Sequence, residues 1–428
     1  MESVTLNKHI SALALGLCAS LFLFTGAAHA AAGALDPSFG NGGKTQTSFG
    51  MSVRPAAAVL QADGKIVIAT GFSNTSIATE ALGLVRYNAN GILDKSFGKN
   101  GSVKVAFTNF INEPSSMALQ ADGKIVVAGT ASSADGQTSE FAVARFNPNG
   151  SVDNSFGVGG KVTTNFVGVM LGGVLNPANA VVIQPDGKIL VGGGASECED
   201  CLHRTALARY NADGSLDSTF GSGGKVDLAA IDTAYTLALL STGEIVAVSA
   251  IGDAFAQFTA QGALESGITS GPIAAFSHGG TFIFQSDGKP IQVNSGADNG
   301  NDEDSDVSVI RFNATGLVDI TFNTPAFEFG TDVGTGNGGE AAALDASGKV
   351  IVGGYSGNPS LFGVARLNTD GSLDSTFGTS GRLTTRFRGT DQVLAVLVQT
   401  DGKIVAVGQT VVNATGIANL ALARYLAQ

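Results

Sequence analysis

Short apolar runs alternate with polar turns along the chain, and the same order of runs returns about every 56 residues. Each copy reads as an apolar run, Gln-x-Asp-Gly-Lys, a second apolar run, Ala-x-Ala-Arg-aromatic-Asn and Leu-Asp-x-x-Phe-Gly. The turn Asp or its substitute marks seven copies, at Asp63, Asp122, Asp186, Thr242, Asp287, Ser347 and Asp401. This period is longer than the roughly 40 to 50 residues of WD40 or kelch repeats, and it suits a four-stranded blade with long loops.

Each copy contains four β-type runs, which in the second copy cover residues 116–120, 124–128, 141–146 and 160–164. Asp122 and Gly123 separate the first two runs, and both residue types tolerate the positive φ angles of a tight hairpin. No helical periodicity competes over a comparable length, so the pattern predicts an all-β fold.

The two ends of the repeat array predict a closed ring. After residue 30 the chain opens with a fourth run alone, at residues 35–44, and it stops after a third run, at residues 421–425. The N-terminal strand can therefore complete the last blade and leave no open sheet edge there. A solenoid would need capping repeats instead. We predict a seven-bladed β-propeller of four-stranded blades, in which the N-terminal strand completes the last blade.

The motifs Gln-x-Asp-Gly-Lys-Ile-x-Val, Ala-Arg-Phe-Asn-x-x-Gly and Leu-Asp-x-x-Phe-Gly resemble the delta-60 repeat family of bacterial β-propellers, over residues 34–428. The resemblance implies a secreted or surface-exposed propeller and carries over no catalytic residues, because the family motif is structural. The fourth copy departs from it at Thr242, Glu244, Gln257 and Glu265.

Residues 1–30 are predicted to be a cleaved signal peptide, which leaves residues 31–428 as a single propeller domain. Lys8 and His9 precede an apolar run at residues 10–24, and Ala28-His29-Ala30 resembles a cleavage site. An uncleaved membrane anchor is the alternative. No later apolar stretch approaches the roughly 20 residues that span a bilayer. We expect a secreted protein, in the periplasm, outside the cell or on its surface.

The net charge of −12 and the absence of a basic stripe disfavour nucleic acid and anionic membranes as partners. The remaining partner classes are a protein, a glycan or a small ligand. We expect the protein to be monomeric.

Two polar positions recur with the repeat and are predicted to form an Arg–Asp pair in each blade, bidentate and partly buried. The arginines are Arg86, Arg145, Arg209, Arg311, Arg366 and Arg424, and the aspartates are Asp36, Asp94, Asp153, Asp217, Asp319 and Asp374. A set of repeated active sites is the rival interpretation. The Phe of the same loop is predicted to fill the gap between blades, at Phe39, Phe97, Phe156, Phe220, Phe322 and Phe377.

Propeller geometry places the repetitive turns on one face and the irregular loops on the other. The irregular loops lie near residues 72–80, 131–140, 166–177, 195–204, 295–306 and 355–360. Variable loops on a rigid scaffold are where binding usually resides. This irregular face is therefore the candidate working face.

Two of these loops contain residues with candidate chemistry. Asp302, Asp304 and Asp306 can present hard oxygens to Ca²⁺, but Val307 stands where an EF-hand loop needs Gly, so a solvated acidic loop is the favoured interpretation. No other cofactor is indicated. Cys198 and Cys201 are predicted to form a local disulfide in an oxidising compartment, with a metal site or free thiols as the alternatives.

The search for catalytic motifs finds no G-x-S-x-G, H-E-x-x-H or P-loop pattern, so enzymatic activity stays open, with no catalytic residue assigned. We predict a binding module that acts through its irregular face. One alternative is a hydrolase or lyase with carboxylates in the central funnel, and the other is a purely structural envelope component.

Overall fold

The computed structural model describes most of the chain beyond residue 30. The described ranges are 31–73, 81–107, 110–133, 138–166, 177–196, 204–228, 233–249, 255–265, 281–295, 306–313, 317–330, 336–412 and 414–428. Within these ranges every regular element is a β-strand, and the strands form seven separate antiparallel sheets.

The first three blades each have four strands in chain order. Blade 1 contains β2 (Ser52–Leu60), β3 (Ile66–Ser73), β4 (Ala81–Tyr87) and β5 (Ser102–Val105). Blade 2 contains β6 (Phe110–Leu119), β7 (Ile125–Ser133), β8 (Ser139–Phe146) and β9 (Lys161–Thr164). Blade 3 contains β10 (Ala178–Ile183), β11 (Ile189–Ala195), β12 (Arg204–Tyr210) and β13 (Lys225–Leu228).

Blades 4 and 5 have three strands each within the described residues. Blade 4 contains β14 (Ala234–Leu239), β15 (Ile245–Ser249) and β16 (Phe255–Phe258). Blade 5 contains β17 (Thr281–Phe284), β18 (Pro290–Ser295) and β19 (Val307–Arg311). Blade 6 again has four strands, β20 (Asn337–Leu344), β21 (Val350–Ser356), β22 (Leu361–Leu367) and β23 (Arg382–Thr385).

Blade 7 joins the two ends of the described chain. It contains β24 (Thr390–Val398), β25 (Ile404–Val412), β26 (Ile417–Tyr425) and, as its outer strand, β1 (Lys44–Thr47). β1 pairs with β26 in antiparallel register, with Lys44 opposite Ala423 and Thr47 opposite Leu420. The predicted seven-bladed all-β propeller and its closure by the N-terminal strand are confirmed.

The hairpin between the first two strands of each blade forms for a local chemical reason. In blade 2, Gly123 adopts φ +81°, which a residue with a side chain rarely adopts. Asp122 Oδ1 accepts a hydrogen bond from the backbone N–H of Lys124 at 3.1 Å. The Asp-Gly-Lys sequence thus closes the hairpin on the face that carries the repetitive turns.

The first strand of each blade contacts the first strand of the next, so that seven inner strands surround the central axis. The core lies between blades rather than in one centre. Phe156 of blade 2, for example, is fully buried in a cluster with Ala208 and Tyr210 of blade 3. The loop Phe thus fills the gap between adjacent blades.

Within the described ranges, six inner strands carry a β-bulge at the same level of the ring. The extra residue is Ala56, Ser115, Asn179, Tyr235, Glu340 or Leu394. A bulge leaves one residue outside the ladder and redirects its side chain. These positions are where the inner strands can differ without disturbing the sheets.

Candidate functional site

The repeated Arg and Asp residues form a compact ionic cluster at the edge of each blade that has them. In blade 2, Arg145 Nε lies 2.7 Å from Asp153 Oδ2, and both side chains are almost completely buried. Lys124, from the Asp-Gly-Lys turn, approaches the same Oδ2 at 3.4 Å. Arg145 also stacks over the ring of Phe156, 4.7 Å from its centroid.

The same arginine ties its blade to the next one. Arg145 Nη1 donates to the carbonyl of Ala212 in blade 3 at 2.6 Å. We call the set of Arg, Asp, Lys and stacked Phe, with this carbonyl contact, the junction clasp. The clasp satisfies a buried charge and joins two blades with the same side chain.

Electrostatics hold the clasp aspartate in its charged form. Burial disfavours the carboxylate of Asp153, but hydrogen bonds from Ser155 and the charge of Arg145 outweigh burial and lower its pKa to about 2. In blade 7, Asp36 has the same balance, with Ser38, Lys403 and Arg424 as its partners, and its pKa is also lowered to about 2. These carboxylates are therefore committed to the scaffold at neutral pH.

The clasp recurs at six of the seven blade junctions. The Arg–Asp contacts measure 2.7–3.0 Å in Arg86–Asp94, Arg145–Asp153, Arg209–Asp217, Arg311–Asp319, Arg366–Asp374 and Arg424–Asp36. The arginines donate to the next blade at Pro148, Ala212, Ala260, Thr369, Ala427 and Ala89. Such regular use in packing favours a structural role for these residues.

The expected bidentate geometry is wrong, because one aspartate oxygen does all the ion pairing. In each clasp Oδ2 faces the guanidinium, and the lysine approaches that oxygen at 2.7–3.6 Å. Oδ1 instead accepts from the hydroxyl and backbone N–H two residues later, as from Ser155 in blade 2. The second oxygen is turned towards its own loop and is not available to the arginine.

Blade 4 has a different arrangement at this position. Gln257 replaces the arginine, and its Nε2 donates to Glu244 Oε2 at 3.1 Å. Glu244 stands where the other copies have the turn lysine, and it also accepts from Thr242 Oγ1 at 2.7 Å. Within the described residues, blade 4 therefore forms no clasp with blade 5.

The inner strands of blades 6 and 7 place a second polar group beside the central axis, at the irregular face. Glu340 is the bulge residue of β20, and its side chain hydrogen-bonds to Gln392 of the next inner strand, β24. Burial raises the pKa of Glu340, and the bond from Gln392 opposes this only in part. Among the described residues, no Lys or Arg forms an ion pair with it.

Tyr355 lies close to Glu340 because Gly338 of β20 has no side chain to block its ring. It lies opposite Gly338 in the strand ladder, and a Cβ on Gly338 would come within 2.3 Å of the tyrosine ring. The phenol hydrogen-bonds to Ser295, at the end of β18 in blade 5. Burial, followed by the charge of Glu340, raises the pKa of Tyr355. We call Glu340, Tyr355, Gln392 and Ser295 the axial site.

Other polar residues occupy the same end of the ring. Arg54 and Glu113, on the inner strands of blades 1 and 2, lie 4.0 Å apart and are both largely exposed. Tyr235, the bulge residue of blade 4, is 43% exposed. Asn179, the bulge residue of blade 3, donates to the carbonyl of Ala234 at 3.1 Å. The mouth of the ring is thus polar and aromatic, whereas the spaces between blades are apolar.

Most of the residues predicted for the irregular loops lie outside the described ranges. This applies to Asp302, Asp304, Cys198 and Cys201, and also to residues 1–30. Asp306 is described and is half-buried next to β19. The described residues contain no group of three or more His, Cys, Asp or Glu side chains placed to hold a metal ion. The calcium site and the disulfide stay predictions.

The axial site was missed at the level of sequence, although a signal for it exists. Four of the six bulge positions carry Ala56, Ser115, Asn179 or Leu394, so a glutamate at this position departs from the repeat. Gly338 likewise stands where blades 1, 2 and 7 have Arg54, Glu113 and Gln392. An alignment of the seven copies would have picked out both exceptions.

Comparison with known proteins supports the fold class. Residues 61–97, 120–156, 184–220 and 346–377 match a family described as "Domain of unknown function (DUF5122) beta-propeller". These segments run from the turn between the first two strands to the loop Phe in blades 1, 2, 3 and 6, and they support a β-propeller repeat family. A search of curated proteins gave no match.

Solved structures show the same architecture at low sequence identity. A catalytically inactive virginiamycin B lyase from Staphylococcus aureus, with quinupristin, has a TM-score of 0.52 at 11% identity, covering 89% of this chain and 98% of that one. The selenomethionine-substituted lyase from the same organism has a TM-score of 0.50 at 10% identity, with the same coverage. Likeness at this level shows the fold alone. The described residues also include no helix with the length and hydropathy of a membrane span.

Proposed function

We propose that this chain is an exported binding module, whose ligand approaches the irregular face and contacts the axial site. The observation that carries the proposal is the group formed by Glu340, Tyr355 and Gln392 beside the axis. Elsewhere the buried charges that repeat around the ring are paired within clasps. Within the part of the chain that is described, the axial site alone combines a half-buried carboxylate with a tyrosine whose ring lies against Gly338 at one end of the ring of blades.

The shape of the fold supports this location. Ligand sites are usually concave and contain a few polar groups that converge from different elements. Here β18, β20, β21 and β24 supply one polar side chain each, from three different blades. A rigid ring fixes their relative positions, so little conformational entropy is lost when a ligand binds.

Acid catalysis by a hydrolase or lyase is the second candidate, and the raised pKa of Glu340 favours it. Such chemistry commonly uses a pair of carboxyl groups. The other carboxylate on a neighbouring inner strand, Asp391, is buried and accepts a hydrogen bond from the backbone N–H of Phe387 at 2.7 Å. Asp391 is fully shielded from solvent and its Oδ2 holds the loop before β24, so the axial site fits binding better than a carboxylate pair.

The test is a binding screen of the purified exported protein against glycan and peptide arrays. We expect the double variant Glu340→Ala, Tyr355→Phe to lose the ligands that the native protein retains. Asp287→Asn, in the exposed turn of blade 5 on the opposite face, is the matched control and should retain them. Ligands that bind the double variant as well as the native protein would place binding elsewhere.

Export itself needs a separate measurement. The basic residue Lys8, the apolar run at 10–24 and Ala28-His29-Ala30 support it from sequence. N-terminal sequencing of the protein recovered outside the bacterial cytoplasm should begin at Ala31. Recovery of an intact Met1 in the membrane fraction would favour the anchor instead.

A further inference from the structure

The axial carboxylate differs from the clasp aspartates in having no positive partner among the described residues. Each clasp aspartate has an arginine and a lysine on its Oδ2. Glu113, at the same mouth, has Arg54 at 4.0 Å. Glu340 has the amide of Gln392 and the nearby phenol of Tyr355, and the described residues provide it with no cation.

The absence of a cation destabilises the charged form of Glu340. A partly buried carboxylate without a cation is disfavoured in its charged form, and a positive group within hydrogen-bond reach removes that penalty. The strands packed against β20 offer few other charges. They contain Tyr355 on β21, Asp391 on β24 and, at the opposite end of β19, Arg311, which is already paired with Asp319. The missing partner is therefore a positive group that the described part of the ring does not supply.

Tyrosines at this end of the ring suit a cation as well. The Tyr355 ring lies across Gly338 beside the carboxylate, and Tyr235 presents an exposed ring at the equivalent bulge of blade 4. Aromatic faces attract ammonium groups, and a hydroxyl beside the carboxylate can accept one of the three N–H donors of a primary ammonium. The protein's net charge of −12 favours the approach of a cationic ligand over that of an anion.

We propose that the axial site binds an amine, whose ammonium group pairs with Glu340 beside the ring of Tyr355. This inference rests on the proposed function and specifies its ligand class, a molecule or peptide with a free primary amine. Gln392 keeps the carboxylate in place by donating to it. Ser295 holds the phenol of Tyr355, which leaves the ring beside the incoming ammonium.

The probe is a peptide library in which lysine is flanked by random uncharged residues, compared with the same library after acetylation of all amines. The exported protein should retain the free library and not the acetylated one. Glu340→Gln keeps the size and the hydrogen bonding of the side chain but removes its charge, and it should weaken binding by roughly 30-fold or more. Asp287→Asn should bind like the native protein.

The pH dependence provides an independent readout. The pKa of Glu340 is raised in the free protein. Below that pKa the carboxyl group is protonated, and it must lose its proton before it can pair with an ammonium group. Native affinity should therefore increase as the pH rises from 4 towards 7, and that of Glu340→Gln should stay flat. Melting curves of both variants show whether they remain folded.

Three outcomes would overturn the amine inference: equal retention of the acetylated library, unchanged binding by Glu340→Gln, or no retention of either library. If the arrays yield an amine-free ligand that Glu340→Ala, Tyr355→Phe no longer binds, the axial binding function stands and the ligand class is wrong. If the array ligands bind the double variant at Glu340 and Tyr355 as well as they bind the native protein, the proposed function itself is wrong.

Discussion

The junction between blades 2 and 3 and the junction between blades 4 and 5 solve the same packing problem differently. At the first, Arg145 pairs with Asp153, stacks on Phe156 and donates to Ala212 of the next blade. At the second, Gln257 turns to Glu244 of its own blade. The first junction is joined by a buried ion pair and a bond between blades, and the second has neither within the described residues.

The junction between blades 4 and 5 also has the smaller apolar cluster, and it contains buried polar atoms without partners. The cluster between blades 4 and 5 is built from Val248, Phe255, Phe282 and Phe312, fewer buried residues than in any other junction cluster of the described chain. Among the described residues, three buried atoms of blade 5 have no hydrogen-bond partner: Gln292 Oε1, Asn294 Nδ2 and Ser308 Oγ. Each unsatisfied buried group costs about 1–3 kcal/mol.

Strand alternation assigns these polar atoms to the junction with blade 4. Ile291 and Val293 pack with Val350 of blade 6, and successive residues of a strand point to opposite faces. Gln292 and Asn294 therefore face blade 4. A closed ring can tolerate one weak junction because the other six hold its two sides in place.

Removal of residues 31–50 should have the largest effect on this comparison. It takes away β1 together with Asp36 and Phe39, so Arg424 and Lys403 lose their buried partner and the junction of blades 7 and 1 loses its clasp. We expect a loss of more than about 6 kcal/mol in the free energy of unfolding. Thermal melting measures it, with the exposed Gln46→Ala as control. Unchanged melting would refute closure by the N-terminal strand.

Alanine substitutions at the clasp arginine position, in blade 2 and in blade 4, test the comparison directly. Arg145→Ala leaves Asp153 buried beside Lys124 alone, and should cost about 3–5 kcal/mol of unfolding free energy. Gln257→Ala removes one partly buried hydrogen bond and should cost about 1 kcal/mol. Urea denaturation of both variants under identical conditions gives the difference. Equal losses would mean that the clasp contributes no more than a single neutral hydrogen bond.

A reciprocal exchange between blades 2 and 5 should have the smallest effect. Gln292 occupies the strand position that Val127 holds in blade 2, the third residue after the turn lysine. Gln292→Val removes an unpaired buried oxygen and should stabilise the protein by about 1–3 kcal/mol. Val127→Gln, the matched control, should destabilise it. A destabilised Gln292→Val protein would show that the amide has a partner in solution, and that the junction is not weak for this reason.

The repeat pattern in the sequence predicts nearly all of the fold but very little of the axial site. Periodic motifs predict blades because each strand pairs with its chain neighbour, and the incomplete end copies predict the pairing of β1 with β26. The clasp was predicted as an Arg–Asp pair without its lysine, because Lys124 reaches Asp153 across the blade from a different turn. The axial site depends on Gly338 admitting Tyr355 from the neighbouring strand, and no single-strand pattern expresses that.

The pairing of β1 with β26 also sets an order of assembly. Hairpins within blades 1 to 6 close over short loops, whereas Lys44 and Ala423 meet across almost the whole described chain. Contacts between residues so far apart in sequence form slowly. Until they form, β26 presents an open strand edge, and such an edge pairs readily with another chain. A nascent molecule is thus most prone to exchange strands with a second copy just before its ring closes.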